Sequence, residues 1–240
     1  MTGAAATAAT GLAPNAHFRI GVSGHRVPPK LPETSEVPLR ATIDKVLSGI
    51  RAAVQKIERQ RVIESRAAEL VVVSSLAEGS DRIVAEAGLA AGLKLKVILP
   101  FSAGEYCRDF ATAESAKQFQ DLLARASEIV ELPGSATERP RAYEAAGLLM
   151  LESIDMLVAI WDGQVGHGIG GTTQIVNRAL AKGLPVLWIA PAQPNALKIS
   201  GGTNGARAAV GDGSPRHGFA EADMAAVERL VAELLLKEIN

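Results

Sequence analysis

A single cysteine, Cys107, occurs in 240 residues, which excludes an intramolecular disulfide framework and any metal site built from several thiolates. A reducing, cytoplasmic setting suits such a chain. Charge of one sign is also lacking. The 25 Lys and Arg against 26 Asp and Glu leave a formal charge of −1, so no global field draws the chain to nucleic acid or to an anionic membrane, and neither is expected as a partner. Any anion binding must be local. No uncharged apolar run approaches the ~20 residues of a membrane span. The opening MTGAAATAATGLAPNA has neither the basic start nor the continuous apolar stretch of a secretion signal. Residues 1–15 are therefore expected to form a disordered tail. Residues 16–240, with no internal repeat and 48% hydrophobic content overall, suffice for one domain burying roughly 70–75% of its unfolded surface.

What is present is an alternation. Short apolar runs, FRIGV (18–22), LVVVSS (70–75), LKVILPF (95–101), EIVEL (128–132), MLVAIW (156–161) and PVLWIA (185–190), are separated by longer amphipathic stretches. Between the first two, Ile43, Val46, Leu47, Ile50, Val54 and Ile57 keep the spacing of one helical face. Further helices are expected at about 80–92, 112–126, 139–153, 171–182 and 219–238. Strands joined by helices run parallel, and near-continuous apolar strands are covered on both faces. The fold class predicted is α/β: a single doubly wound, Rossmann-like domain with a mainly parallel sheet of about six strands. Residues 191–218, rich in Gly, Pro, Asn and Ser, read as a long loop before the last helix.

In such sheets ligands bind outside the carboxyl ends of the strands, so three turns matter. The first, GVSGHR, offers Gly21 and Gly24 for close backbone approach, Ser23 and His25 as hydrogen-bonding groups, and the planar guanidinium of Arg26 for an anion. His25 taken alone reads as a structural hydrogen-bonder before it reads as a base, and His167 no differently. The second turn, SSLAEGSDR, contains Ser74, Ser75, Glu78, Gly79 and Asp81; Ser80 suits a helix N-cap, Asp81 the first helical turn, and Glu78 has no evident packing role. The third, WDGQVGHGIGGTTQ, brings Asp162 and Gly163, then Gly170 and Gly171, then Thr172 and Thr173 opening a helix whose first N–H groups can meet a phosphate. GVSG does not match the dinucleotide fingerprint G-x-G-x-x-G, so NAD bound by the usual route is not expected, nor is any other cofactor or metal. After the third run, Tyr106 and Arg108 suit a base or a phosphate. Phe101, Phe110 and Trp161 read as core, and Cys107 as an inert thiol.

Taken in order, GVSGHR, SSLAEGSDRIVAEA, VILPFSAGEYCRDF and AIWDGQVGHGIGGTTQIV resemble the turns of the SLOG superfamily. This Rossmann-like group is named for the DNA-processing protein of bacterial transformation and the Lonely Guy phosphoribohydrolases. The resemblance spans about 17–190 and implies binding of nucleotides or nucleotide-derived ligands, in enzymes of some branches and sensors of others. It departs from the Lonely Guy pattern P-G-G-x-G-T-x-x-E in one place: Gly171 and Thr172 are kept, but Ile175 stands where the glutamate falls. Turnover would then need another carboxylate: Glu78, Asp81, Glu105 or Asp162, with Glu78 and Asp162 the foremost catalytic candidates.

Three functions remain open at this point. The first is a cytoplasmic domain that binds or senses a nucleotide or nucleotide-derived small molecule. The second is an enzyme cleaving or transferring at an N-glycosidic bond, which needs a carboxylate near the anomeric carbon. The third is an interaction domain in which the turns only cap helices. A homo-oligomer is compatible with the sequence but not specified by it.

Overall fold

A computed structural model describes residues 17–26, 33–60, 68–166, 168–200 and 218–237. The expected tail, His167 and most of the expected loop, 201–217, lie outside the described residues. The elements are β1 (His17–Gly24), α1 (Glu33–Gln60), β2 (Glu69–Ser74), α2 (Ser80–Ala90), β3 (Lys94–Leu99), α3 (Ala103–Tyr106), α4 (Ala113–Leu123), β4 (Glu128–Glu131), α5 (Arg139–Glu152), β5 (Met156–Ile160), α6 (Thr172–Ala181), β6 (Val186–Ala190), β7 (Gln193–Ser200), β8 (Ala220–Ala222) and α7 (Met224–Lys237). Among the described residues no helix is long and apolar enough to cross a membrane.

One sheet of eight strands carries the order β4-β3-β2-β1-β5-β6-β7-β8. The six strands read from the sequence are its parallel part. β7 and β8 extend it antiparallel, which corrects the reading of 191–200 as loop. The chain turns back two residues after Ala190 and pairs Leu187 with Ile199 and Trp188 with Lys198. Leu197 is buried and Lys198 lies 5.1 Å over the Trp188 ring, so packing outweighs the polar composition of QPNALKIS.

Strand alternation explains the two hydrophobic layers. Met156, Val158 and Ile160 of β5 face one core with Ile43, Val46, Leu47 and Ile50 of α1 and Val227 and Val231 of α7. Leu157, Ala159 and Trp161 face the other, with Ala146 and Met150 of α5 and Ile175, Val176 and Ala179 of α6. The face predicted for the first helix is thus the buried one. β1 lies between β2 and β5, where chain progression reverses direction. That reversal opens a crevice at the carboxyl ends of β1 and β5.

Candidate functional site

His25 ties the turns at this crevice together. Its N–H donates to the Ile160 carbonyl at 2.9 Å, and its own carbonyl accepts from Ser80 N at 3.2 Å and Ser80 Oγ at 2.8 Å. Its Nε2 lies 3.1 Å from the Asp162 amide nitrogen and 3.0 Å from Asp162 Oδ1. With 7% of its surface exposed, His25 serves as the structural hydrogen-bonder expected. Ser80 is already the first helical residue, so Gly79, at φ 89°, holds the N-cap position without a side-chain bond, and the Ser80 hydroxyl donates to His25 instead. Gly24 is required here, since a Cβ would stand 2.4 Å from Ser80 Cβ.

Above this knot lies a cavity of about 480 Å³, within the ~300–1,000 Å³ usual for small-molecule sites. β1 contributes Val22, Ser23 and Gly24, followed by His25 and Arg26; the second turn contributes Ser75, Ala77 and Asp81. Tyr143, Ala146, Gly147 and Met150, at helical spacing on α5, form one wall. Gly166, Gly168, Gly170, Gly171, Thr172, Thr173 and Ile175 form an adjoining one, with Gly170 and Ile175 packed against α5.

The glycine wall is built for approach. Gly171 is the N-cap of α6 and supplies no side-chain cap, and the first N–H groups of a helix together carry about half a positive charge. A Cβ on Gly171 would meet only the Gly168 carbonyl, at 3.4 Å. Gly170 differs: at φ +76°, its Cβ would stand 2.9 Å from Glu144 N, the Pro140 carbonyl and Tyr143 Cβ. The Thr173 hydroxyl, expected as a ligand donor, instead donates to the Gln164 carbonyl at 3.1 Å and accepts from Gly166 N at 3.2 Å. It holds the loop that the backbone donors need. Ile175 packs under Gly147, so this part of the wall is apolar.

Asp81 is the carboxylate that lines the cavity. Burial raises its pKa from 3.8 to about 7, and the Ala77 N–H, the Arg26 charge, the Ser75 N–H and the Arg82 charge offset that only in part. Arg26 faces it. Burial works against the guanidinium charge, but Tyr106, Tyr143 and Asp81 outweigh it and hold the pKa above the ordinary value. Tyr106 borders the same space, yet with 1% exposure it belongs to an aromatic cluster with Phe101, Phe110 and Phe119, at centroid distances of 5.5, 5.2 and 5.6 Å. A base does not stack on its face.

Several expected site residues stand elsewhere. Gly21 is closed off by Ile154, whose Cδ1 would lie 2.5 Å from a Cβ there. Buried Ser74 accepts from Leu76 N at 3.0 Å and shapes a turn in which Leu76 takes φ 55°. Glu78 accepts a hydrogen bond from Ser115 Oγ on α4 and does not line the cavity. Asp162 accepts from Gln164 N at 2.9 Å, beside Gly163 at φ 76°, and it too is off the cavity wall. Both foremost catalytic candidates are therefore turn-holding carboxylates. Glu105 accepts from Ala136 N at 2.8 Å, and Arg108 is exposed outside the cavity. Tyr143 was not singled out by the sequence. Its 143, 146, 147, 150 spacing marks a helix face, but nothing in that spacing separates a cavity wall from core.

No protein-family model matches the chain, and no curated protein does. Among solved structures, it is similar to DNA processing protein A from Streptococcus pneumoniae, at 16% identity and a TM-score of 0.46, over 93% of this chain and 62% of that one. A second likeness is to DNA processing protein A from Helicobacter pylori, in a structure described by its single-stranded DNA binding mode: 16% identity, TM-score 0.43, 72% of this chain and 65% of that one. A third is to TM1055, a structural-genomics target, at 17% identity and TM-score 0.40, over 70% of this chain and 72% of that one. The chain thus spans less than two thirds of the first two. These are likenesses of fold. They lend no support to the charge-based expectation that nucleic acid is not a partner.

Proposed function

We propose that the cavity binds a nucleotide or nucleotide-derived small molecule, with its phosphate at the α6 N-terminus and Arg26 and its sugar or base toward Asp81, as a cytoplasmic binding or sensing domain. The observation that carries this is the convergence, in one cavity of about 480 Å³, of a glycine-opened helix N-terminus, a guanidinium and a carboxylate. The helix supplies backbone donors and partial positive charge to a phosphate, and Arg26 adds a charge-assisted fork. A second reading, an enzyme acting at an N-glycosidic bond, is favoured by one feature. Asp81, with its pKa pushed up to about 7, is present in both protonation states at neutral pH and suits acid–base work.

Calorimetry with inorganic phosphate, adenosine, guanosine and cytidine monophosphates and a single-stranded DNA oligonucleotide tests the reading. Product analysis of each mixture follows turnover. Phosphate and at least one monophosphate are expected to bind, and Arg26→Ala to weaken binding by about 1.5–3 kcal/mol through loss of a charge-assisted bond. Absence of binding by phosphate and all three monophosphates, or unchanged affinity in Arg26→Ala at both low and high salt, refutes the assignment. Oligonucleotide binding without mononucleotide binding reassigns the cavity. Free base released by the parent but not by Asp81→Asn, with affinity retained, establishes the enzyme.

A further inference from the structure

Arg26 reaches the cavity on a long side chain from the exposed end of its turn, and such a side chain left alone samples many rotamers. Three residues of other elements restrict it. The guanidinium carbon lies 5.1 Å from the centroid of the Tyr143 ring, within cation–π range. The Tyr143 hydroxyl donates to Asp109 Oδ2 at 2.5 Å. Arg139 grips the other oxygen of the same carboxylate, with Nε at 3.0 Å and Nη2 at 2.6 Å from Asp109 Oδ1, while its Nη1 donates to the Ala136 carbonyl at 2.6 Å. The Asp109 side chain is 7% exposed. Tyr143 also backs the glycine wall through its contact opposite Gly170. Asp109 and Arg139 are both absent from the cavity lining.

We infer that Tyr143, Asp109 and Arg139 form a positioning chain that aims Arg26 at the anion subsite. The inference rests on the proposed anion binding by Arg26, and assigns to these three residues the orientation of that group. Tyr143 presents a face that the guanidinium can stack on. Asp109 fixes that face by accepting the phenol proton, and Arg139 fixes Asp109 by a two-nitrogen grip. Asp109 does not line the cavity; it acts on Arg26 through the Tyr143 ring and through the attraction between its own charge and the guanidinium.

The test combines affinity for inorganic phosphate with the NMR resonance of the Arg26 Nε–H group, assigned by its loss in Arg26→Ala. Asp109→Ala is expected to weaken phosphate binding by about three- to tenfold and to shift the Arg26 resonance toward that of a mobile arginine. Asp109→Asn, which retains an acceptor for the phenol, is expected to restore most of both. Adding Asp109→Ala to Arg26→Ala is expected to cost no further affinity. Should Asp109→Ala not fold, Arg139→Ala, at a side chain 46% exposed, releases the grip on Asp109 and leaves Tyr143 in place, and the same two readouts are expected to move in the same direction. The inference is overturned if these variants leave phosphate affinity and the Arg26 resonance at parental values while Arg26→Ala weakens binding. It is equally overturned if Asp109→Ala costs the same factor with and without Arg26. If Arg26→Ala leaves phosphate affinity unchanged, the proposed function fails instead; an unmoved Arg26 resonance in Asp109→Ala then overturns the positioning chain separately.

Discussion

Replacing Asp81 by asparagine should make the protein more stable above neutral pH and less stable in acid. The carboxyl has a pKa of about 7 in the fold against 3.8 for the ordinary group, because burial disfavours the charged form. Between those values the folded chain holds a proton that the unfolded chain has released. The contribution of Asp81 to stability is therefore fully present below about pH 4, falls as pH rises toward 7, and is lost above it. A shift of about three pKa units at 1.36 kcal/mol each amounts to roughly 4 kcal/mol. Asparagine removes this titration, but its amide nitrogen cannot accept from the Ser75 or Ala77 N–H as a carboxylate oxygen does, which costs about 1–2 kcal/mol. The variant is expected to lie about 1 kcal/mol below the parent at pH 4 and about 2–3 kcal/mol above it at pH 8. Urea denaturation in phosphate-free buffers, with m held common to both proteins, measures the gap. Asp109 does not confuse the result. Burial opposes its charge, yet bonds from Arg139 and Tyr143 hold its pKa below the ordinary value, so its contribution is lost only as pH falls through the low carboxylate range, in both proteins alike. A stability gap that stays constant from pH 4 to pH 8 refutes the reasoning.

The two adjacent glycines of the third turn should respond differently to a side chain. Gly171→Val, at φ −82° with its Cβ in van der Waals contact with the Gly168 carbonyl at 3.4 Å, is expected to change stability by less than about 1 kcal/mol and to abolish phosphate binding in the same calorimetric assay. Gly170→Ala, at φ +76° against the backbone of α5, is expected to lose about 1–3 kcal/mol of stability by urea denaturation; equal effects of the two changes would contradict the division of roles. Glu78→Gln should leave both phosphate affinity and any base release unchanged, since its carboxylate serves Ser115. A loss of base release in that variant alone would return Glu78 to the site.

Much of the architecture was legible in sequence because it rests on periodicity. Central strands such as β5 and β6 are apolar on both faces, and the spacing from Ile43 to Val54 is a helix face whose residues are buried. β7 was not legible: Pro194 and Asn195 interrupt its pattern, and its pairing depends on β6 presenting an unfilled edge, which is a tertiary fact. The turns were located correctly by strand-end logic, yet the roles within them were decided by neighbours far away in sequence. Ser80 looks like a cap until the His25 carbonyl, 55 residues earlier, takes its hydroxyl. Asp81 looks like a dipole partner at a surface helix end, but its helix begins beneath the cavity, and burial converts a routine carboxylate into the site's titrating group. Glu78 looked free because Ser115 belongs to another helix.

The two margins of the sheet bear on how copies of this chain can meet. At one, β4 is four residues long and reads Glu-Ile-Val-Glu, with Glu128 paired to Lys96 at 2.7 Å. At the other, β8 is three residues long, and its Glu221 lies 3.2 Å from Lys198. A short, charged border is a poor template for another chain's backbone, since an added strand would find few free amides and would meet the solvent-facing carboxylates of Glu128 and Glu221. Growth of the sheet from molecule to molecule, the usual route from an exposed border to fibrils, is thereby discouraged. Contacts between copies of this chain are then expected at helix or loop surfaces rather than along the two strand margins.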